Sequence, residues 1–184
     1  MVKPIISVFG SSRPAPESNA YLEARQLGML LAEAGFTVAT GGYGGTMAAV
    51  SQGASEAGGR VIGVTSNHME KWRPMPRNEW VGEEIRLDSQ RDRLLYLVMN
   101  NDGMITLPGG IGTLSEMALA WSLVQTSEMP TRPLVLLGSM WRDTIRVFAQ
   151  DEYIRSRDMD LIYLATSAET AVGYVRQRLA ERLV

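Results

Sequence analysis

The stretch Gly103-Met104-Ile105-Thr106-Leu107-Pro108-Gly109-Gly110-Ile111-Gly112-Thr113-Leu114-Ser115-Glu116-Met117-Ala118-Leu119-Ala120-Trp121 sets the architecture of this chain. A short apolar run is broken by a proline and three glycines, then gives way to apolar helix formers. Strand, glycine loop and helix in that order form one unit of a parallel sheet. The unit recurs in both directions along the chain. Apolar runs at Ile5–Phe9, Thr37–Thr40, Arg60–Val64, Gly103–Leu107 and Pro133–Leu137 read as strands. Between and after them, Glu17–Ala34, Thr46–Ala57, Ser89–Asn100, Leu114–Val124 and Trp141–Gln150 have helical spacing. Leu27, Leu30, Leu31 and Ala34 mark one buried helix face, and Gly35 stops that helix where a left-handed residue is wanted. A last helix is expected over Ser167–Leu183, with Thr166 and Glu169 as its capping box. The alternation predicts an α/β fold. We expect one domain over residues 1–184: a Rossmann-like, doubly wound parallel sheet with helices on both faces. Only residues 66–84, with two prolines, two tryptophans and mixed charge, break the rhythm and read as a long irregular loop.

Composition narrows the chemistry. The 184 residues are 45% hydrophobic and 21% charged, enough to bury a core. A net charge of −2 argues against a nucleic-acid partner. Cysteine is absent, which excludes disulfides and thiol nucleophiles. His68 is the only histidine, so a multi-histidine metal site is excluded and a carboxylate-only one is not. His68 falls in the irregular segment and is read as a surface residue. The only lysines are Lys3, before the first strand, and Lys71, in the irregular segment. The first apolar run is too short for a signal segment or a membrane span, so we expect a cytoplasmic protein with no membrane partner.

Ligands of parallel sheets bind beyond the carboxyl ends of the strands. Three of the loops there are glycine-rich and each opens a helix: Gly10-Ser11-Ser12-Arg13, Gly41-Gly42-Tyr43-Gly44-Gly45-Thr46 and Pro108-Gly109-Gly110-Ile111-Gly112-Thr113. Glycine lets a backbone approach a ligand closely, and a helix N-terminus offers N–H groups and partial positive charge to an anion. Thr46 and Thr113 can each add a hydroxyl donor. The set reads as a phosphate site. It contains no G-x-x-x-x-G-K-[ST] and no G-x-G-x-x-G after the first strand, which disfavours phosphoryl transfer and a dinucleotide cofactor.

The nine residues Pro108 to Glu116 fit P-G-G-x-G-T-x-x-E, and the chain thereby resembles the LOG family, the cytokinin-activating phosphoribohydrolases once labelled lysine decarboxylases. Gly41-Gly42-Tyr43-Gly44-Gly45-Thr46-Met47 is similar to the family's G-G-x-x-G-x-M, and Gly10-Ser11-Ser12 to its G-S-S. Arg93 stands fifteen residues before the signature proline, as the family's arginine does. Arg91 and Leu94 occupy the positions of the family's histidine and lysine, and Thr46 that of a leucine. A carrier protein for the molybdenum cofactor has a related fold and phosphate site, which leaves binding without turnover as a second reading.

The resemblance implies hydrolysis of the N-glycosidic bond of a nucleoside 5′-monophosphate to free base and ribose 5-phosphate. It needs no metal and no cofactor. Glu116, expected in the first turn of its helix, would face the positive charge that develops on the ribose. Arg93 would hold base or phosphate and keep that carboxylate ionised. The phosphate and nucleotide would rest on Gly10, Ser11, Ser12, Gly41, Gly42, Gly44, Gly45, Thr46, Gly109, Gly110, Gly112 and Thr113. A pyridoxal-type decarboxylation is disfavoured, because Lys3 lies at the wrong end of the sheet and Lys71 in an irregular loop. The helix around Trp121 is apolar nearly all round, which predicts burial on more than one side and a homodimer or higher oligomer.

Overall fold

The computed structural model describes residues 3–150 and 152–182. Seven strands form one parallel sheet in the order β4-β3-β2-β1-β5-β6-β7. They are β1 (Ile5–Phe9), β2 (Thr37–Thr40), β3 (Val61–Ser66), β4 (Glu83–Leu87), β5 (Gly103–Thr106), β6 (Leu134–Leu137) and β7 (Tyr163–Ala165). The helices are α1 (Asn19–Glu33), α2 (Thr46–Glu56), α3 (Asn67–Trp72), α4 (Gln90–Met99), α5 (Ile111–Gln125), α6 (Ser139–Phe148), α7 (Ser156–Met159) and α8 (Ala168–Glu181). The expected α/β architecture holds.

Alternate residues of each central strand feed two cores. Ile6, Val8, Val38 and Ile105 pack under α1, α2 and α8. Phe9, Ala39, Met104 and Leu136 pack under α4, α5 and α6. A sheet covered on both faces has no polar side, which is why its inner strands read as continuous apolar runs.

Several boundaries and two strands differ from the sequence reading. The segment 66–84 is not one loop: Ser66 closes β3 and caps α3 by accepting from the Met69 N–H, and β4 begins at Glu83. β4 escaped notice because an edge strand carries charge, here Glu83, Glu84 and Arg86. β7 has only three residues. Helix α1 starts at Asn19, since Ser18 is its cap and Glu17 takes a φ of 71°. Helix α8 is capped by Ser167 and Thr170, not by Thr166 and Glu169, and Leu183 lies outside the described residues. Gly35 does end α1 in the left-handed region, at φ 85°. Around Trp121 the helix is buried on one side only: Trp121 packs into the core, whereas Leu114 on the outer face is 45% exposed.

Helices α1 and α2 meet at glycines. A Cβ on Gly28 would collide with the Val50 carbonyl oxygen, and one on Gly53 with that of Arg25. The backbones touch because neither side chain exists. Gly53→Ala should therefore lower stability by about 2 kcal/mol in urea unfolding, the overpacking cost exceeding the ~1 kcal/mol gain in helix propensity.

Candidate active site

The strand order reverses between β1 and β5, the place beyond the strand ends where parallel sheets bind their ligands. Phe9 is in register with Thr106, and the Leu107 N–H donates to the Phe9 carbonyl at 2.9 Å. The loops after β1 and β5 thus leave the sheet side by side at one height. The loop after β2 leaves one strand further on and folds back onto the first. The N–H and the hydroxyl of Thr46 both donate to the Ser11 carbonyl, at 2.8 and 3.2 Å. That hydroxyl, expected to face a ligand, braces two loops instead. Thr113 is 3% exposed, and a Cβ on Gly109 would collide with its hydroxyl.

The expected glycines divide into two groups. A Cβ on Gly10 would strike Thr46, one on Gly41 would strike Arg93, and one on Gly45 would strike Ser11 and Ser12; Gly42 is crowded by Thr65 and has a φ of 75°. These four, with Gly109, are glycine for the sake of the protein itself. Gly44, Gly110 and Gly112 are different. A Cβ on Gly44 would lie 3.9 Å from its nearest neighbour, those on Gly110 and Gly112 would meet nothing within 4 Å, and none of the three has a left-handed φ. Helices α2 and α5 start from Gly45 and Gly110 with no side-chain cap, whereas α1, α3, α4 and α8 are capped by serines.

Arg93 and Glu116 come together beneath these loops. Arg93 is 5% and Glu116 7% exposed. The guanidinium is fixed from three sides. Its Nε donates to the Val64 carbonyl at 2.8 Å and its Nη2 to the Gly41 carbonyl at 3.0 Å. Its carbon stands 5.4 Å from the centre of the Tyr43 ring. The Tyr43 hydroxyl accepts from the Ser66 N–H at 2.9 Å, which fixes the ring in turn. Nη1 faces Glu116 Oε1 at 3.9 Å, an ion pair too long for a hydrogen bond. Arg91 points away with its side chain 79% exposed and pairs with Asp92, and Leu94 packs against the core. Among the described residues no cluster of histidine and acidic side chains could hold a metal ion.

Helix α5 begins at Ile111 rather than Leu114, so Glu116 is its sixth residue and lies beyond the first turn. It faces Arg93 across a buried gap. Burial pushes its carboxyl up to about 7, and the opposing pull of Arg93 offsets this only in part. Burial also lowers the Arg93 pKa. Sequence reasoning missed two supports. Tyr43 had a signal, a large aromatic in the middle of a glycine loop. Asn78 had none; its N–H donates to the Gly42 carbonyl at 2.8 Å, and its amide to the carbonyls of Gly42 and Tyr43, both at 3.0 Å.

Residues 3–169 match the model of the SLOG cluster4 family. The chain belongs to that family. A probable cytokinin riboside 5′-monophosphate phosphoribohydrolase of Oryza sativa subsp. japonica is 32% identical over 131 residues, 68% of this chain and 51% of that protein. This SLOG chain thus spans about half the length of that curated relative. Solved structures match it over nearly its whole length. The molybdenum cofactor carrier protein of Chlamydomonas reinhardtii superposes with a TM-score of 0.77 at 29% identity, covering 97% of this chain and 99% of that one. The molybdenum cofactor binding protein of Rippkaea orientalis gives a TM-score of 0.74 at 29% identity, covering 96% and 98%. No helix among the described residues of this SLOG protein is long and apolar enough to cross a membrane.

The raised carboxyl pKa makes Glu116 a stability switch. The unfolded chain releases this proton near 4.5 and the native state only near 7. Any stabilisation is therefore complete below 4.5 and is lost as pH rises through 7. The expected loss is on the order of 3 kcal/mol. Glu116→Gln lacks the ionisation, so its melting temperature relative to wild type should rise between pH 5 and pH 8.

Proposed function

We propose that this SLOG protein hydrolyses the N-glycosidic bond of a nucleoside 5′-monophosphate, releasing free base and ribose 5-phosphate. The observation that carries this reading is the buried Glu116 carboxyl, held against Arg93 at the reversal of the strand order. In the reaction, the bond from the ribose C1′ to the base nitrogen breaks and its electron pair leaves with the base, which takes up a proton. Positive charge spreads over C1′ and the ring oxygen. Water adds to C1′ and loses a proton. Ionised Glu116 opposes the developing charge and orients the water, in a dry setting where one charge acts strongly on another. Arg93 faces Glu116 at 3.9 Å and its charge favours the ionised form. The open space at Gly44, Gly110 and Gly112 supports contact between a phosphate and the backbone, since the protein itself places nothing there.

A second reading has its own support. The carrier structures match almost the whole of both chains, whereas the match to the rice protein covers half of it. Under this reading the same strand edge holds a phosphorylated ligand without cleaving it. We also infer that the outer face of α5 meets a second copy of the chain. Leu114 and Ala118 line an apolar groove of about 490 Å³ together with Phe148 of α6. The expected oligomer is a dimer or larger in light scattering at micromolar concentration, and Leu114→Asp should dissociate it.

The test of catalysis is an incubation with a panel of nucleoside 5′-monophosphates, assaying free base and ribose 5-phosphate. Glu116→Gln should lower turnover at least about 100-fold while nucleotide binding persists. In the wild type, kcat/KM should rise with pH through about 7, as Glu116 ionises. Nucleotide binding with no base released from any member would select the carrier reading.

A further inference from the structure

We propose that Arg73 is the charge partner of the ligand's phosphate, reaching the loop after β1 from the chain segment between α3 and β4. The inference rests on the phosphorylated ligand common to both readings above and assigns a role to the segment that breaks the sequence rhythm.

A phosphate monoester brings roughly two negative charges at neutral pH. The buried cation does not balance them. Arg93 is 5% exposed, and its guanidinium is engaged within the protein by the Val64 and Gly41 carbonyls and by Glu116. A helix N-terminus supplies only about half a positive charge. A further cation is needed; Lys3 precedes β1, and Lys71, in α3, makes no hydrogen bond to the loops among the described residues.

Arg73 meets the requirement. Its Nη1 lies 3.5 Å from the Ser12 hydroxyl, on the loop after β1. Ser12 in turn packs against Gly45, the residue that opens α2: a Cβ on Gly45 would stand 2.7 Å from the Ser12 Cα. The Arg73 guanidinium thus reaches the loop after β1 at the residue that packs against the start of α2. Both flanks of its segment are anchored. On one side, Glu70 of α3 is paired with Arg86, and the Asn67 amide donates to Asp88 at 2.7 Å. On the other, Asn78 is bonded to the carbonyls of Gly42 and Tyr43. Among the described residues no carboxylate lies within 4.0 Å of Arg73, although Arg25, Arg60, Arg77, Arg86 and Arg91 all have one. Arg13, on the loop itself, is also without one; Arg73 is the cation that reaches this loop from another segment, at the Ser12 hydroxyl.

The experiment is calorimetric titration of wild type, Arg73→Ala and the exposed control Arg91→Ala. The probes are AMP, dihydroneopterin monophosphate, inorganic phosphate and the two phosphate-free counterparts, adenosine and dihydroneopterin. Arg73→Ala should bind whichever phosphomonoester the wild type prefers at least about tenfold more weakly, with a shallower salt dependence. Its melting temperature, its affinity for the phosphate-free counterpart and the behaviour of Arg91→Ala should all be unchanged. The two phosphomonoesters distinguish a nucleotide from a pterin source. Equal affinity of wild type and Arg73→Ala would overturn the role of Arg73 and leave the proposed function standing. A wild type that binds neither phosphomonoester nor inorganic phosphate would overturn both.

Discussion

The buried guanidinium of Arg93 is the constraint on which the loops at the carboxyl edge of this sheet depend. An ionised group taken out of water costs several kcal/mol unless it is solvated from within. Here the solvation comes from two main-chain carbonyls, of Gly41 just after β2 and of Val64 within β3, and from the face of the Tyr43 ring. Those carbonyls can point inward only if the loop after β2 takes a single path. That path fixes Gly41 as glycine and places Thr46 where it can bond the loop after β1. One cation thus sets the geometry of two loops and the environment of one acid.

The acid gains its character from how little it is given. No hydrogen bond ties Glu116 to Arg93, and the 3.9 Å gap leaves burial as the dominant influence on its proton. A closer contact would hold the carboxylate permanently ionised. The separation leaves it titrating near neutrality, able to exist in either state, as the proposed reaction would require of it.

Much of this was legible in the sequence. The five inner strands were found because a sheet covered on both faces leaves unbroken apolar runs. The edge strands β4 and β7 were not: one exposes charged side chains to water, and the other is too short to show a period. Motif spacing singled out Arg93 and Glu116. Their burial was hidden, because Arg86 and Arg91 nearby make the region look like a solvated surface, and only the turn of α4 sends Arg93 inward while Arg91 faces out. The late start assigned to α5 came from treating its glycines as loop. Ile111 and Gly112 are already helical, and a helix start that lacks a side-chain cap looks, in sequence, like the loop it follows. The support from Asn78 had no local signature, since its partners are main-chain atoms more than thirty residues away.

The outermost strand carries one further consequence. β4 presents Glu83, Glu84 and Arg86 at the rim of the sheet, and these are engaged with Arg60, Arg77 and Glu70. A strand from another molecule that tried to extend the sheet here would have to dismantle this lattice of ion pairs and strip water from the charges before gaining any backbone bond. The rim is therefore guarded against edge-to-edge aggregation. An otherwise adhesive parallel sheet ends cleanly at a polyelectrolyte border, and the chain can crowd in solution without templating fibrils from this side.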